Sequence, residues 1–193
     1  LKPEVIDSAA LANLEPALAD GLWACRLETG YPVEPAAATK AWARRAERAG
    51  ATIVVGAAAN LAPGDVDQIL VAAGPWTPSL VPAWSADPPI VPIWGVVVST
   101  ALPGPPRQVL EEMGISRSGE TQQREFSLVT AGGKSSVGST FLPWQPDPAG
   151  LAAELMARGA RFVPQIGKAS IEGVRACARP VSRDGRPLIG RVD

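Results

Sequence analysis

From Pro82 onward the chain is a succession of short β-branched runs, each cut off by Gly, Pro or Ser: "PPIVPIWGVVVST", "REFSLVTAG", "SSVGSTFLP" and "SIEGVRACARPV". Runs of this length with turn residues between them predict a largely antiparallel sheet. One helix interrupts them, with Asp147 as N-cap, Pro148 at N1, "AGLAAELMAR" as its body and Gly159 as C-cap. The stretch "ALPGPPRQVLEEMGISRSGETQQRE" is polar and rich in Pro and Gly, and reads as a surface excursion.

The N-terminal part reads differently. "PEVIDSAALANLEPAL" reads as a helix under way from the start, with Asp7 as an N-cap and Pro16 as the interruption after Leu14. Glu34-Pro35 opens the clearest helix, "AAATKAWARRAERAG", which Gly50 ends. Ala38, Trp42 and Ala46 form its apolar stripe; Arg44, Arg45, Glu47 and Arg48 line the other side. "ATIVVG" predicts a strand, and a second strand runs from Gln68 to Ala72 into a turn at Ala73-Gly74. Helix followed by buried strand argues for an α/β unit. The expected class is α/β (α+β): part of an α/β domain joined to a mostly antiparallel sheet with flanking helices.

Composition narrows the function. The 193 residues are 46% apolar and carry a net charge of −1 with no basic stripe, which argues against nucleic acid and anionic membrane surfaces as partners. No apolar run reaches transmembrane length; the longest, Ile69–Gly74 and Ile93–Val98, read as buried strands. No signal peptide stands out, so a cytoplasmic location is expected. Cys25 and Cys177 match no metal spacing and read as reduced, buried thiols, and no metal is expected. Histidine is absent, which removes imidazole acid–base chemistry, Ser-His-Asp triads and most zinc sites. The chain begins at Leu1 and stops after "IGRVD", and both ends read as cut from a longer polypeptide. Apolar surface exposed that way leaves a homo-oligomer open.

The densest cluster of charge is "VRACARPVSRDGRPLIG", with four arginines and one aspartate among small apolar residues. Arg179 lies in Ala-Arg-Pro, and its guanidinium offers a planar fork matched to a carboxylate. It either anchors a substrate carboxylate or pairs with Asp184 or Glu172 and staples the turn. Arg175, Arg183 and Arg186 read as solvated or turn-bound, and Asp184-Gly185 as a tight turn. In "VAAGPW", small residues at Ala72, Ala73 and Gly74 permit close approach of a bulky planar group, or simply tight strand-on-helix packing. Trp76 reads as a packing residue beside that turn. Ser139 and Thr140 are hydroxyls that could line a pocket.

Taken in order, four pieces resemble one family, the FAD-dependent amine and amino-acid oxidoreductases that include glycine oxidase, sarcosine oxidase and D-amino-acid oxidase. The pieces are "LEPAL" with "GYPVEPAAATKAWARRAERAGATIVVG"; "DQILVAAGPWTPSL"; "PPIVPIWGVVV"; and "SSVGSTFLP" with "VRACARPVSRDGRPLIG". The resemblance implies that residues 1–81 belong to a partial FAD-binding domain, residues 82–178 to a substrate-binding sheet domain, and residues 179–193 to a return into the first. It implies FAD as cofactor, with Ala72, Ala73, Gly74 and Trp76 near it, and a small amine or amino acid as substrate. It also implies that Arg179 holds the substrate carboxylate while the C–N bond is oxidised by hydride transfer to the flavin, a step that needs no side-chain base. The chain departs from the family pattern in four places. It has no Gly-x-Gly-x-x-Gly between strand and helix, the Gly56–Gly64 linker is short, and Trp94 and Val96 stand where many relatives carry Arg and Gln. The alternative is a truncated or degenerate relative that binds no FAD and serves as a small-carboxylate-binding or interaction module.

Overall fold

In the computed structural model, residues 2–57, 64, 66–84, 86–113 and 124–191 are described. The chain opens with strand β1 (Glu4–Ile6), helix α1 (Ser8–Leu14) and strand β2 (Ala24–Arg26), with β1 and β2 paired antiparallel. The start expected as helix is therefore a strand: Val5 and Ile6 are β-branched and face Cys25 and Ala24 across the ladder. Asp7 caps α1, its Oδ1 accepting from the Ala10 N–H at 2.8 Å. Helix α2 (Pro35–Arg48) follows, capped by the Glu34 carboxylate, and none of its residues is buried.

The segments expected as strands, "ATIVVG" and Gln68–Ala72, join no ladder among the described residues. Val55 and Leu70 are each 92% exposed. Their β-branched composition favours extended backbone, but a strand exists only with a partner, and no described strand runs beside them. A 3₁₀ turn at Gly74–Trp76 leads into the short helix α3 (Thr77–Leu80) and a second 3₁₀ turn at Pro82–Trp84.

The rest builds one five-stranded antiparallel sheet from β3 (Ile90–Thr100), β4 (Leu110–Glu111), β5 (Arg124–Ala131), β6 (Lys134–Thr140) and β7 (Gly173–Ser182), in the order β4-β5-β6-β3-β7. Part of the predicted excursion, residues 114–123, lies outside the described residues. Helix α4 (Pro148–Ala160) packs on one face of the sheet. Val96, Val98, Phe126, Leu128 and Val137 meet Ala152, Leu155 and Met156 there, together with Val163 and Ile166 beyond the helix. The helix starts as predicted at Asp147 and Pro148, but it runs one residue past Gly159 and is capped by Arg161. Gly159 is a packing residue: a Cβ there would stand 3.1 Å from both Ile166 and Val137 side chains.

Two polar ties close this half. Arg158 clasps Glu112 through Nε to Oε2 and Nη2 to Oε1, each at 2.8 Å, and Glu112 Oε2 also accepts the Phe126 N–H at 2.9 Å. Glu15, only 2% exposed, accepts the N–H groups of Arg107 and Gln108, at 3.0 and 2.8 Å on Oε1. That carboxylate fastens the end of α1 to the loop after β3. Both cysteines, expected to be buried, are exposed: Cys25 lies on the two-stranded ribbon and Cys177 on the sheet edge strand β7.

Candidate functional site

Because side chains alternate along a strand, the residues of β3 and β7 that do not meet α4 share the opposite face. On β7 these are Arg175, Cys177 and Arg179; on β3 they are Ile93, Gly95, Val97 and Ser99, with Arg179 opposite Ile93 and Cys177 opposite Gly95. Gly138 of β6 joins them opposite Val97. At the centre of this face Gly95 and Gly138 are buried, Gly95 under the Arg179 guanidinium and Gly138 against the Val97 and Ser127 side chains, while Cys177 is exposed.

Next to that centre the β3–β6 ladder is interrupted. It pairs from Thr100↔Ser135 to Val97↔Gly138 and resumes at Trp94↔Leu142, so Gly95 and Val96 face Ser139, Thr140 and Phe141. The extra residue makes a bulge. The Thr140 hydroxyl repairs the break, accepting the Val96 N–H at 3.0 Å and donating to the Trp94 carbonyl at 3.1 Å. Its own carbonyl is thereby left pointing at Arg179.

Arg179 Nη1 donates to that carbonyl at 2.9 Å and Nη2 donates to Ser139 Oγ. The Phe141 ring lies 4.8 Å from the guanidinium carbon, an arginine–aromatic stack. Arginine has five N–H donors, so after the two bonds to Thr140 and Ser139 three remain, one more than a bidentate carboxylate takes. Neither Asp184 nor Glu172 is its partner, and no acidic side chain among the described residues pairs with it. Asp184 instead accepts the Arg186 N–H at 3.0 Å in a turn where Gly185 has φ +71°. Arg183 pairs with Asp87. Desolvation holds the Arg179 guanidinium below its usual pKa, with Cys177 opposing the shift. An uncompensated, half-buried cation is costly, and an anion placed on it would relieve that cost.

Of the residues named from sequence, Arg179, Ser139 and Thr140 come together. Ser139 contributes its hydroxyl to the guanidinium, whereas the Thr140 side chain is spent on the ladder and only its carbonyl faces Arg179. The 3₁₀ turn that follows Ala72 and Ala73 rests against β7 and β3. Gly74 has φ +58°, a conformation that favours glycine. Trp76, expected to pack, is 63% exposed: it ends a one-turn 3₁₀ segment that buries none of its residues. Sequence reasoning missed Gly95 and Phe141. Gly95 did carry a signal, since a glycine inside a long β-branched strand marks a close approach by something else.

For the planar ring of a flavin the fit is partial. The 3₁₀ turn at Gly74–Trp76 rests against β7 and β3, which brings its small residues to the strand that carries Arg179. The space at Gly95 and Gly138, by contrast, is filled by the Arg179 guanidinium and by the Val97 and Ser127 side chains. No Gly-x-Gly-x-x-Gly occurs in the chain to seat a dinucleotide pyrophosphate.

The comparisons agree with this fold. The chain is similar in structure to glycine oxidase from Geobacillus kaustophilus, with TM-score 0.76 and 22% identity over 99% of this chain and 54% of that one. It is also similar to iminodiacetate oxidase from Chelativorans sp. BNC1, with TM-score 0.74 and 20% identity over 99% of this chain and 55% of that one. Glycine oxidase from Bacillus cereus ATCC 14579 gives TM-score 0.68 and 20% identity over 98% and 55%. The chain thus spans about half the length of these solved structures. No curated protein gave a significant match. The model of the FAD-dependent oxidoreductase family, DAO, matches residues 1–193, and the chain belongs to that family.

Proposed function

We propose that this chain carries the substrate-anchoring part of an oxidase or dehydrogenase that oxidises the C–N bond of a small amine or amino acid. One observation carries the reading: a half-buried guanidinium on the open sheet face, fixed by neutral acceptors, with three donors unspent and no acidic partner among the described residues. A structural arginine in the same place would be expected to have a carboxylate beside it. The names of two similar structures, glycine oxidase and iminodiacetate oxidase, support a substrate that bears both an amine and a carboxylate.

On this reading Arg179 binds the carboxylate and so fixes the direction in which the α-carbon presents its C–H bond. Thr140 and Ser139 hold the guanidinium still, and Phe141 shields one of its faces from water. Ala72, Ala73 and Gly74 would line the edge of the ring. FAD, when bound, supplies the acceptor for the hydride that leaves the α-carbon. The division into a partial FAD-binding domain (1–81), a substrate domain (82–178) and a return (179–193) is part of the proposal. Strand β7 crosses its last boundary without a break.

The test is Arg179→Ala in the full-length, flavin-loaded protein, assayed by flavin reduction with glycine and with methylamine, which lacks the carboxylate. Losing one partner of a partly buried charged pair costs about 2–5 kcal/mol, so kcat/KM for glycine should fall roughly 30- to 5,000-fold. The value for methylamine should change little. An equal response to both amines would return Arg179 to a structural role.

A further inference from the structure

Arg179 reaches its partners by lying across β3. It stands opposite Ile93 in register, yet its guanidinium covers Gly95, two positions along that strand. A Cβ on Gly95 would come within 2.6 Å of Nη1 and closer still to Cζ and Nη2, and all three of its nearest atoms would belong to Arg179. Backbone conformation does not call for glycine here, because Gly95 is absent from the positive-φ positions and keeps unbroken register with Cys177 of β7, the extra residue of the bulge being on β6. Strand interiors generally disfavour glycine, so nothing local rewards it. What the position supplies is the missing side chain. The Thr140 carbonyl and Ser139 hydroxyl of the bulge then stop the guanidinium on the far side of that gap.

We infer that Gly95 is a positioning residue for carboxylate recognition: its bare backbone is the channel that lays Arg179 across β3 and aims its unspent donors at the open face. This rests on the reading of Arg179 as the carboxylate anchor. Any side chain at position 95 would push the guanidinium off its two acceptors, without itself touching substrate.

The experiment is a calorimetric titration of the full-length, flavin-loaded protein with acetate and with acetamide, its neutral isostere. The wild-type protein should prefer acetate, and Arg179→Ala should lose the preference. Gly95→Ala should weaken acetate binding by about 100-fold, the scale expected of an ångström-sized misplacement, and leave acetamide unchanged. Ser139→Ala, which removes one of the two acceptors, should weaken acetate about five-fold. In the Arg179→Ala background, Gly95→Ala should add nothing, because the group it displaces is gone. If Gly95→Ala keeps the wild-type preference while Arg179→Ala loses it, the inference is overturned and the anchor stands. If Arg179→Ala keeps the preference, both fall. Should Gly95→Ala alone fail to fold, the double variant restores the space and must fold, and Ser139→Ala carries the binding result. A double variant that also fails to fold, or an unchanged acetate affinity in Ser139→Ala, overturns the inference.

Discussion

The two halves of the chain handle similar apolar residues in opposite ways. In the sheet half, Val96, Val98, Leu128, Val137 and Val163 are fully buried. In the N-terminal half, α2 buries nothing, and Val55 and Leu70 stand in the open. Both halves contain amphipathic helices and β-branched runs, so composition does not separate them. Partners do. Strand β3 has a neighbour on each side and α4 across its face, whereas "ATIVVG" has neither among the described residues. The difference teaches that strand propensity states what a segment can become, and a ladder decides whether it does so.

The sharpest way to break this contrast compares two leucines. Leu155 of α4 is 2% exposed, while Leu70 is 92% exposed. Truncating a buried leucine loses its transfer energy and leaves a cavity, so Leu155→Ala should cost about 2–5 kcal/mol in urea unfolding of this 193-residue chain. Leu70→Ala should stay within about 0.5 kcal/mol. Comparable costs would mean that residues 66–73 are packed in solution, and the contrast would dissolve.

A second measurement probes the joint between the halves. Glu15 sits at the end of α1, but its carboxylate belongs to the Arg107 and Gln108 amides. Removing it leaves two part-buried backbone donors without their acceptor, so Glu15→Ala should cost about 1–2 kcal/mol. Glu15→Gln keeps one acceptor oxygen and should cost less. Amide hydrogen exchange at Arg107 and Gln108 should accelerate in the alanine variant only. Unchanged exchange would mean that the loop after β3 holds its shape without α1.

Much of the sheet half was legible in the sequence, and the reasons are local. Strands β3, β5, β6 and β7 fall on the four β-branched runs, and Asp147-Pro148 marks the start of α4. Local rules failed where distant residues decide. Gly159 looked like a cap, but its lack of a side chain serves Ile166 and Val137. Val5 and Ile6 looked helical until a partner twenty residues away made them a strand. The site divides the same way. Arg179 stands out as an arginine among small residues before a proline. The turning of Thr140 into the ladder and the fit of Arg179 over Gly95 depend on a bulge between strands far apart in the chain, which no spacing rule shows.

The smallest effect is the most discriminating, because it applies one chemistry to both halves. Asp147 caps α4 through an Oδ1 bond to the Ala149 N–H at 3.1 Å, and Glu34 caps α2 through bonds from the Ala36 and Ala37 N–H groups. Replacing a capping side chain with alanine costs about 1 kcal/mol of helix stability. In α4 that cost is shared with the core through Leu155 and Met156, so Asp147→Ala should lower the global Tm by about 2–4 °C. Helix α2 has 14 residues and no buried contact, which makes it marginal on its own. Glu34→Ala should therefore reduce far-UV helical signal by local fraying and leave the cooperative transition where it was. If the two variants lowered Tm equally, α2 would be energetically coupled to the sheet, and its exposed Trp42 stripe would have to be seated against something in solution.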